Sequence, residues 1–219
     1  MTIVSVKTGA DWELRVAGLS DGSSLSFRVC YLSPDLVDTS LCTHESADTI
    51  EGRELSPDEV ASLRFAAACL DAEKAALQLI ARAEQTVFGL GQKLAKRGHD
   101  SACSKTVIAR LCGQGLLDDF RYARLWLDSR VSRGGSSPMR LLAALRAKGI
   151  GREDAESAMR EALDDEAEQR LLERFAQKRQ GGKYGTDLRH MEDSARRSLK
   201  YLLKSEGFSS QAIGRLFED

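Results

Sequence analysis

Leu141-Leu142-Ala143-Ala144-Leu145-Arg146-Ala147-Lys148-Gly149-Ile150 is the stretch that decides the fold. Leu141 and Leu145, four residues apart, share one face of a helix. Gly149 lies just beyond them and suits a left-handed C′ cap, and Ile150 is the apolar residue that folds back on the helix end. The same frame stands at Leu90, Leu94, Arg97, Gly98 and His99, and again at Leu199, Leu203, Glu206, Gly207 and Phe208. After eight intervening residues each copy places a large apolar residue: Ile108, Met159 and Phe217. The glycines are separated by 51 and 58 residues. Self-similarity at this period means stacked supersecondary units that bury apolar surface against each other.

Working outward, each copy predicts three helices. A helix ends at the glycine, and a second begins near Asp100, Gly151 or Ser209. A third precedes them, over about 73–83, from Asp118-Asp119 onward, and over about 166–178. Asp118 is a natural N-cap and Asp119 complements the helix dipole. Asp164-Asp165-Glu166 marks the junction of the second and third units, and Gln180-Gly181-Gly182-Lys183-Tyr184-Gly185 reads as a looser loop.

The N-terminal residues follow a different period. Trp12, Leu14 and Val16 share one face of an alternating run, as do Leu25, Phe27, Val29 and Tyr31, with the turn signal Asp21-Gly22 between. Alternation of this kind predicts two or three antiparallel strands. A sheet this small needs a helical partner. Residues 33–54 form a connector. Ser56, Pro57 and Glu59 then write a capping box with proline at the first helical position.

The resulting organisation is a small β-rich segment with connector (1–54), a linking helix (55–72) and three-helix repeats at 73–117, 118–164 and 165–219. The fold class is mainly α: three tandem helix-turn-helix-like units in an elongated array, with a small N-terminal antiparallel β element.

Composition narrows the function. The 219 residues are 42% hydrophobic and 30% charged, with 6% aromatic, an ordinary globular balance. No apolar run reaches membrane-spanning length, and the first residues lack a secretory layout. Five cysteines without a C-x-x-C pair argue against a disulfide framework and fit a reducing cytoplasm. Residues 1–72 carry a net charge of −7 and residues 73–219 a net of +6, so the repeats suit nucleic acid or an acidic protein surface.

The second unit carries the most specific text: Gly115-Leu116-Leu117-Asp118-Asp119-Phe120-Arg121-Tyr122-Ala123, then Ser129-Arg130, Arg133-Gly134-Gly135, Pro138, and Leu145 to Ile150. Together with the threefold repeat it resembles the RecX family, bacterial regulators of the RecA recombinase. The resemblance covers residues 73–219, and the β-rich start is similar to the N-terminal extension of longer members. The first unit departs from the family pattern at Thr86-Val87-Phe88-Gly89, and the third at Ser205-Glu206. The resemblance implies a non-enzymatic regulator, expected to inhibit, that binds the helical groove of a RecA–single-stranded DNA filament. It would limit ATP hydrolysis, strand exchange and filament extension. Bare single- or double-stranded DNA is a further partner to test, and a monomer is expected.

The residues themselves support no catalytic site. His44, His99 and His190 lack metal-ligand spacing, and there is no nucleophile elbow or phosphate loop. No cofactor or metal is expected. Tyr122 and Trp126 sit at helical spacing in a leucine-rich helix, a pattern of core residues that could also stack on bases. Residues 74–160 hold 16 Lys and Arg against 8 Asp and Glu. Lys96, Arg97, Arg121, Arg124, Arg130, Arg133, Arg140, Arg146 and Lys148 are the candidate filament or DNA contacts, since clustered cations meet phosphates or carboxylates. The rival reading is a helix-turn-helix DNA-binding protein or transcription factor, which predicts sequence-specific duplex binding. The tandem repeat within one chain speaks against it.

Overall fold

The computed structural model describes residues 1–9, 11–37, 52–180 and 192–218. His44, Cys42, His190 and the glycine-rich loop from Gly181 to Gly185 lie outside the described residues. The chain divides into two compact units: residues 1–84 with 90–117, and residues 85–89 with 118–219.

In the first unit a meander of β1 (Ile3–Thr8), β2 (Leu14–Leu19) and β3 (Ser24–Arg28) forms an antiparallel sheet in the order β1-β2-β3. Val16 stands opposite Lys7 on one side and Ser26 on the other. The buried face of β2 is Arg15, Ala17 and Leu19, whereas Trp12 is 65% exposed and Leu14 and Val16 are half-buried. The face shared by Trp12, Leu14 and Val16 is thus the more open one. The sheet packs on a helix through β3, and Ile3, Ala17, Leu19 and Phe27 are the residues turned inward. Val29–Tyr31 is a 3-10 turn, not an extension of β3, and α1 (Pro34–Val37) follows it.

That helix is α2 (Pro57–Ile80). The Ser56 hydroxyl accepts from the Glu59 N–H at 3.2 Å, and the Glu59 carboxylate accepts from the Ser56 N–H at 2.8 Å. The helix runs unbroken across residue 72, so the linking helix and the first helix of the first repeat are one element. The change of charge near residue 72 is not a change of backbone preference, because Pro57–Ile80 has no internal Gly or Pro. The unit is completed by α3 (Val87–Lys96, from Leu90 onward) and α4 (Ser101–Gly113), whose N-cap Asp100 accepts from Ala102 N–H at 2.7 Å.

Glu73 of α2, 5% exposed, is the electrostatic centre of this unit. Its carboxylate lies 2.8 Å from Arg28 Nε of β3 and 3.8 Å from Arg110 Nε of α4. Arg28 also meets Asp11 at 2.9 Å, and Arg110 is bonded to Glu13. Glu13 of the N-terminal segment thus neutralises Arg110 of the first repeat, Glu73 of the repeat meets Arg28 of the sheet, and Arg110 is spent on structure.

The second unit contains α5 (Asp119–Arg133), α6 (Pro138–Ala147), α7 (Arg152–Ala162), α8 (Asp165–Gln180), α9 (Asp193–Ser205) and α10 (Ser210–Glu218). One core runs through both of its repeats: Leu127, Leu141, Leu145 and Ile150 pack with Leu171, Leu172, Phe175, Leu203 and Phe208. The rings of Phe175 and Phe208 are 5.4 Å apart and tilted by 53°, a favourable aromatic geometry.

The repeat glycines cap their helices as expected. Gly98, Gly149 and Gly207 have φ of 84°, 83° and 89°. The N–H groups of His99, Ile150 and Phe208 donate back to the carbonyls of Leu94, Leu145 and Leu203 at 3.2, 3.3 and 3.2 Å. This is the Schellman bond pattern, three times over. Among the described residues no helix is long and apolar enough to cross a membrane.

A candidate basic and aromatic interface

The second repeat is positioned by its caps. Asp118 Oδ1 accepts from the Arg121 N–H at 2.9 Å and starts α5. Asp119 does something the sequence did not reveal: its Oδ1 accepts from the Val87 N–H at 2.8 Å, at the start of α3. Burial pushes the Asp119 carboxyl above its ordinary value, and Asp154 and Asp118 push the same way, against the pull of the Val87 N–H. Thr86 is the other half of this junction. Its Oγ1 donates to the Lys148 carbonyl at 3.1 Å and accepts from the Gly89 N–H at 2.9 Å.

Tyr122, Trp126 and Arg130 follow at one-turn intervals along α5, and so share a face. Both rings are half-buried at the margin of the core. Two cations cover them. Arg130 Cζ is 5.2 Å from the centre of the Trp126 ring. Lys148 Nζ is 5.7 Å from Trp126 and 5.8 Å from Tyr122. These are cation–π distances. The rings are therefore neither plain core nor open platforms: their inner sides pack and other parts lie under cations. Lys148 reaches them because it is the C-cap of α6, held next to Gly149.

Beyond Arg130 the helix ends at the Arg133-Gly134-Gly135 turn. A Cβ on Gly134, at φ 69°, would lie 2.3 Å from Arg174 Cδ, and one on Gly135 would lie 3.4 Å from Lys178 Cδ. Two cations of α8 thus lie across the turn, and Arg174 Nη1 donates to the Ser132 carbonyl at 2.6 Å. The sequence does not single out Arg174 and Lys178, because only folding brings a helix of the third repeat to this turn. Their one local signal is the i, i+4 spacing on α8.

The other candidates separate. Arg140 is 3.7 Å from Glu206, and Arg124 is bonded to Glu161, so both have carboxylate partners. Arg121 is half-buried. Arg133 and Arg146 are exposed. Lys96 and Arg97 end α3 in the first unit, where Arg97 Nη1 lies 3.4 Å from the Ala75 carbonyl. The geometry brings Arg130 and Lys148 together over Trp126 and places Arg174 and Lys178 across the turn that follows Arg133. His99 is half-buried at the α3 cap. Among the described residues, no three His, Cys, Asp or Glu side chains form a cluster able to hold a metal ion. The arrangement gathers positive charge beside two half-buried rings.

Residues 118–159, which hold most of this interface, match the family model described as RecX, second three-helix domain. The chain is 34% identical to the regulatory protein RecX of Treponema pallidum strain Nichols over 134 residues, which is 61% of this chain and 82% of that protein. It is 32% identical to the regulatory protein RecX of Ectopseudomonas mendocina strain ymp over 147 residues, or 67% of this chain and 93% of that one. A crystal structure of regulatory protein RecX shares the fold at a TM-score of 0.67, covering 100% of this chain and 99% of that chain at 17% identity. RecX from Lactobacillus salivarius shares it at a TM-score of 0.54, over 69% of this chain and 95% of that chain at 19% identity. The chain belongs to the RecX family of regulatory proteins.

Proposed function

We propose that this protein is a cytoplasmic, monomeric, non-enzymatic regulator that binds along the groove of a RecA–single-stranded DNA filament and restrains its ATP hydrolysis, strand exchange and extension. The observation that carries the reading is the cationic face of the second repeat. Arg130 and Lys148 are held over Tyr122 and Trp126, and Arg133, Arg174 and Lys178 gather at the adjoining turn. A filament presents the same phosphates and carboxylates again and again. Several weak contacts on one chain then add through effective concentration, and each repeat needs to supply only a few kcal/mol. The contact set is Arg130, Arg133 and Lys148 with Arg174 and Lys178, while Lys96, Arg97, Arg121 and Arg146 are secondary and Arg124 and Arg140 support the fold.

The test compares binding to bare single-stranded DNA, random duplex and nucleotide-loaded filament at one salt concentration, with ATP hydrolysis followed in parallel. Preference for the filament, with hydrolysis falling at substoichiometric protein, is expected. Arg130→Glu with Lys148→Glu should abolish both effects. Equal binding to duplex and filament with unchanged hydrolysis refutes the reading in favour of a duplex-binding protein.

A further inference from the structure

The third repeat carries a second cationic face, separate from the one above. Helix α9 places Arg197, Lys200, Tyr201 and Lys204 within one 100° sector, all exposed. Among the described residues Tyr201 is the most exposed of the large apolar-bodied side chains, at 79%. It stands between Arg197, one turn before it, and Lys204, one turn after it. The only carboxylate in the sector is Asp193, whose backbone carbonyl accepts from Arg197 Nε at 3.2 Å.

The outward aim of this face is fixed from behind. Arg196 Nη2 donates to the Phe217 carbonyl at 2.7 Å, and Arg196 and Lys200 each lie 5.0 Å from the Phe217 ring. Leu203 is fully buried in the core of the unit. The helix therefore cannot roll to hide Tyr201 without breaking these contacts.

We propose that this face of α9 binds single-stranded nucleic acid, with a base stacked on the Tyr201 ring and phosphates on Arg197 and Lys204. Arg197 and Lys204 stand seven positions apart, about 10 Å along the helix, a stripe that tracks a phosphate backbone. An acidic peptide would use the cations and leave the ring idle. A single strand uses both, because every base has a face to stack. Arg197, Tyr201 and Lys204 are separate from the site on the second repeat, and the binding needs no recombinase, so either reading can fail without the other.

The test is fluorescence anisotropy of the full-length protein with a labelled oligothymidylate and with an abasic strand of equal length. Tyr201→Ala should weaken thymidylate binding about fivefold or more and leave the abasic strand unaffected. Tyr201→Phe should bind as the parent does, which separates stacking from misfolding. Lys204→Gln should weaken both strands and flatten the dependence of log K on log salt by about 0.7. Unchanged thymidylate binding by Tyr201→Ala overturns the proposal, as does equal weakening on the abasic strand. Competition by oligoglutamate as strong as by oligothymidylate also overturns it and assigns the face to an acidic protein.

Discussion

Gly149→Ala is the substitution that most directly links the repeat to the interface. Gly149 caps α6 at φ 83°, and an alanine in the left-handed region costs about 1 kcal/mol or more. Space adds a second cost. A Cβ at this position would lie 2.2 Å from Phe88 Cβ and 2.4 Å from Phe88 Cγ. Phe88 Cβ is bound to the backbone and cannot swing aside, so the overlap adds about 2 kcal/mol of overpacking strain. The total is about 3 kcal/mol. Gly207→Ala is the internal control in the same unit. Its φ is 89° and the nearest atom is Met139 N at 3.4 Å, so it should lose about 1 kcal/mol, the conformational cost alone. Urea denaturation followed by circular dichroism measures both. At a slope of about 2 kcal/mol per molar, the two midpoints should differ by about 1 M. Gly149→Ala should also move Lys148 off the Trp126 ring and weaken filament binding, which Gly207→Ala should spare. Equal losses at the two glycines would refute the argument from the Phe88 contact.

Three further substitutions test other parts. Glu73→Gln leaves Arg28 and Arg110 without their shared, 5% exposed counter-charge; the first unit should lose about 2 kcal/mol, read as a lower melting temperature. Lys148→Met removes a cation from two rings and should cost about 1 kcal/mol. In a Trp12→Phe background, where Trp126 is the only tryptophan, it should also change the emission and raise quenching by iodide less than by acrylamide. Asp119→Asn tests the sign of a pKa shift. The folded carboxyl is raised by burial, so its favourable contribution is present below the ordinary carboxylate range and is lost as pH rises through the folded value. The amide oxygen still accepts from Val87, so the stability of the variant relative to the parent should improve from acid to neutral pH. A gap that is constant with pH would contradict this.

Local signals were legible because their chemistry is local. The glycine caps, the Ser56–Glu59 box and the Asp118 N-cap each depend on residues within six positions of one another, and each formed as read. The inner face of β2 was not legible. Leu14 and Val16 alternate with Ala17 and Leu19, so both faces carry apolar residues, and only the docking of the sheet on α2 decides between them. The boundary expected at residue 72 came from charge, which does not break a helix. Asp119 capping Val87 and Arg174 covering Gly134 join residues 32 and 40 positions apart, beyond any local pattern. The helical spacing of Tyr122 and Trp126 explains their inner contacts but not the cations over them.

The unbroken run of α2 has a consequence for how the chain opens. β3, α2 and α4 are joined through Glu73, and the segment ahead of α2 is tied to β1 by Ile3 N–H donating to the Arg53 carbonyl at 2.9 Å. The sheet and the first repeat should therefore behave as one foldon, with amide protons of β2 and α4 exchanging at a common free energy. Deleting residues 1–54 would not trim a detachable appendage. It would take Arg28 from Glu73 and Glu13 from Arg110, and uncover the part of α2 on which β3 packs. In this chain the N-terminal extension has become part of the first repeat's own fold.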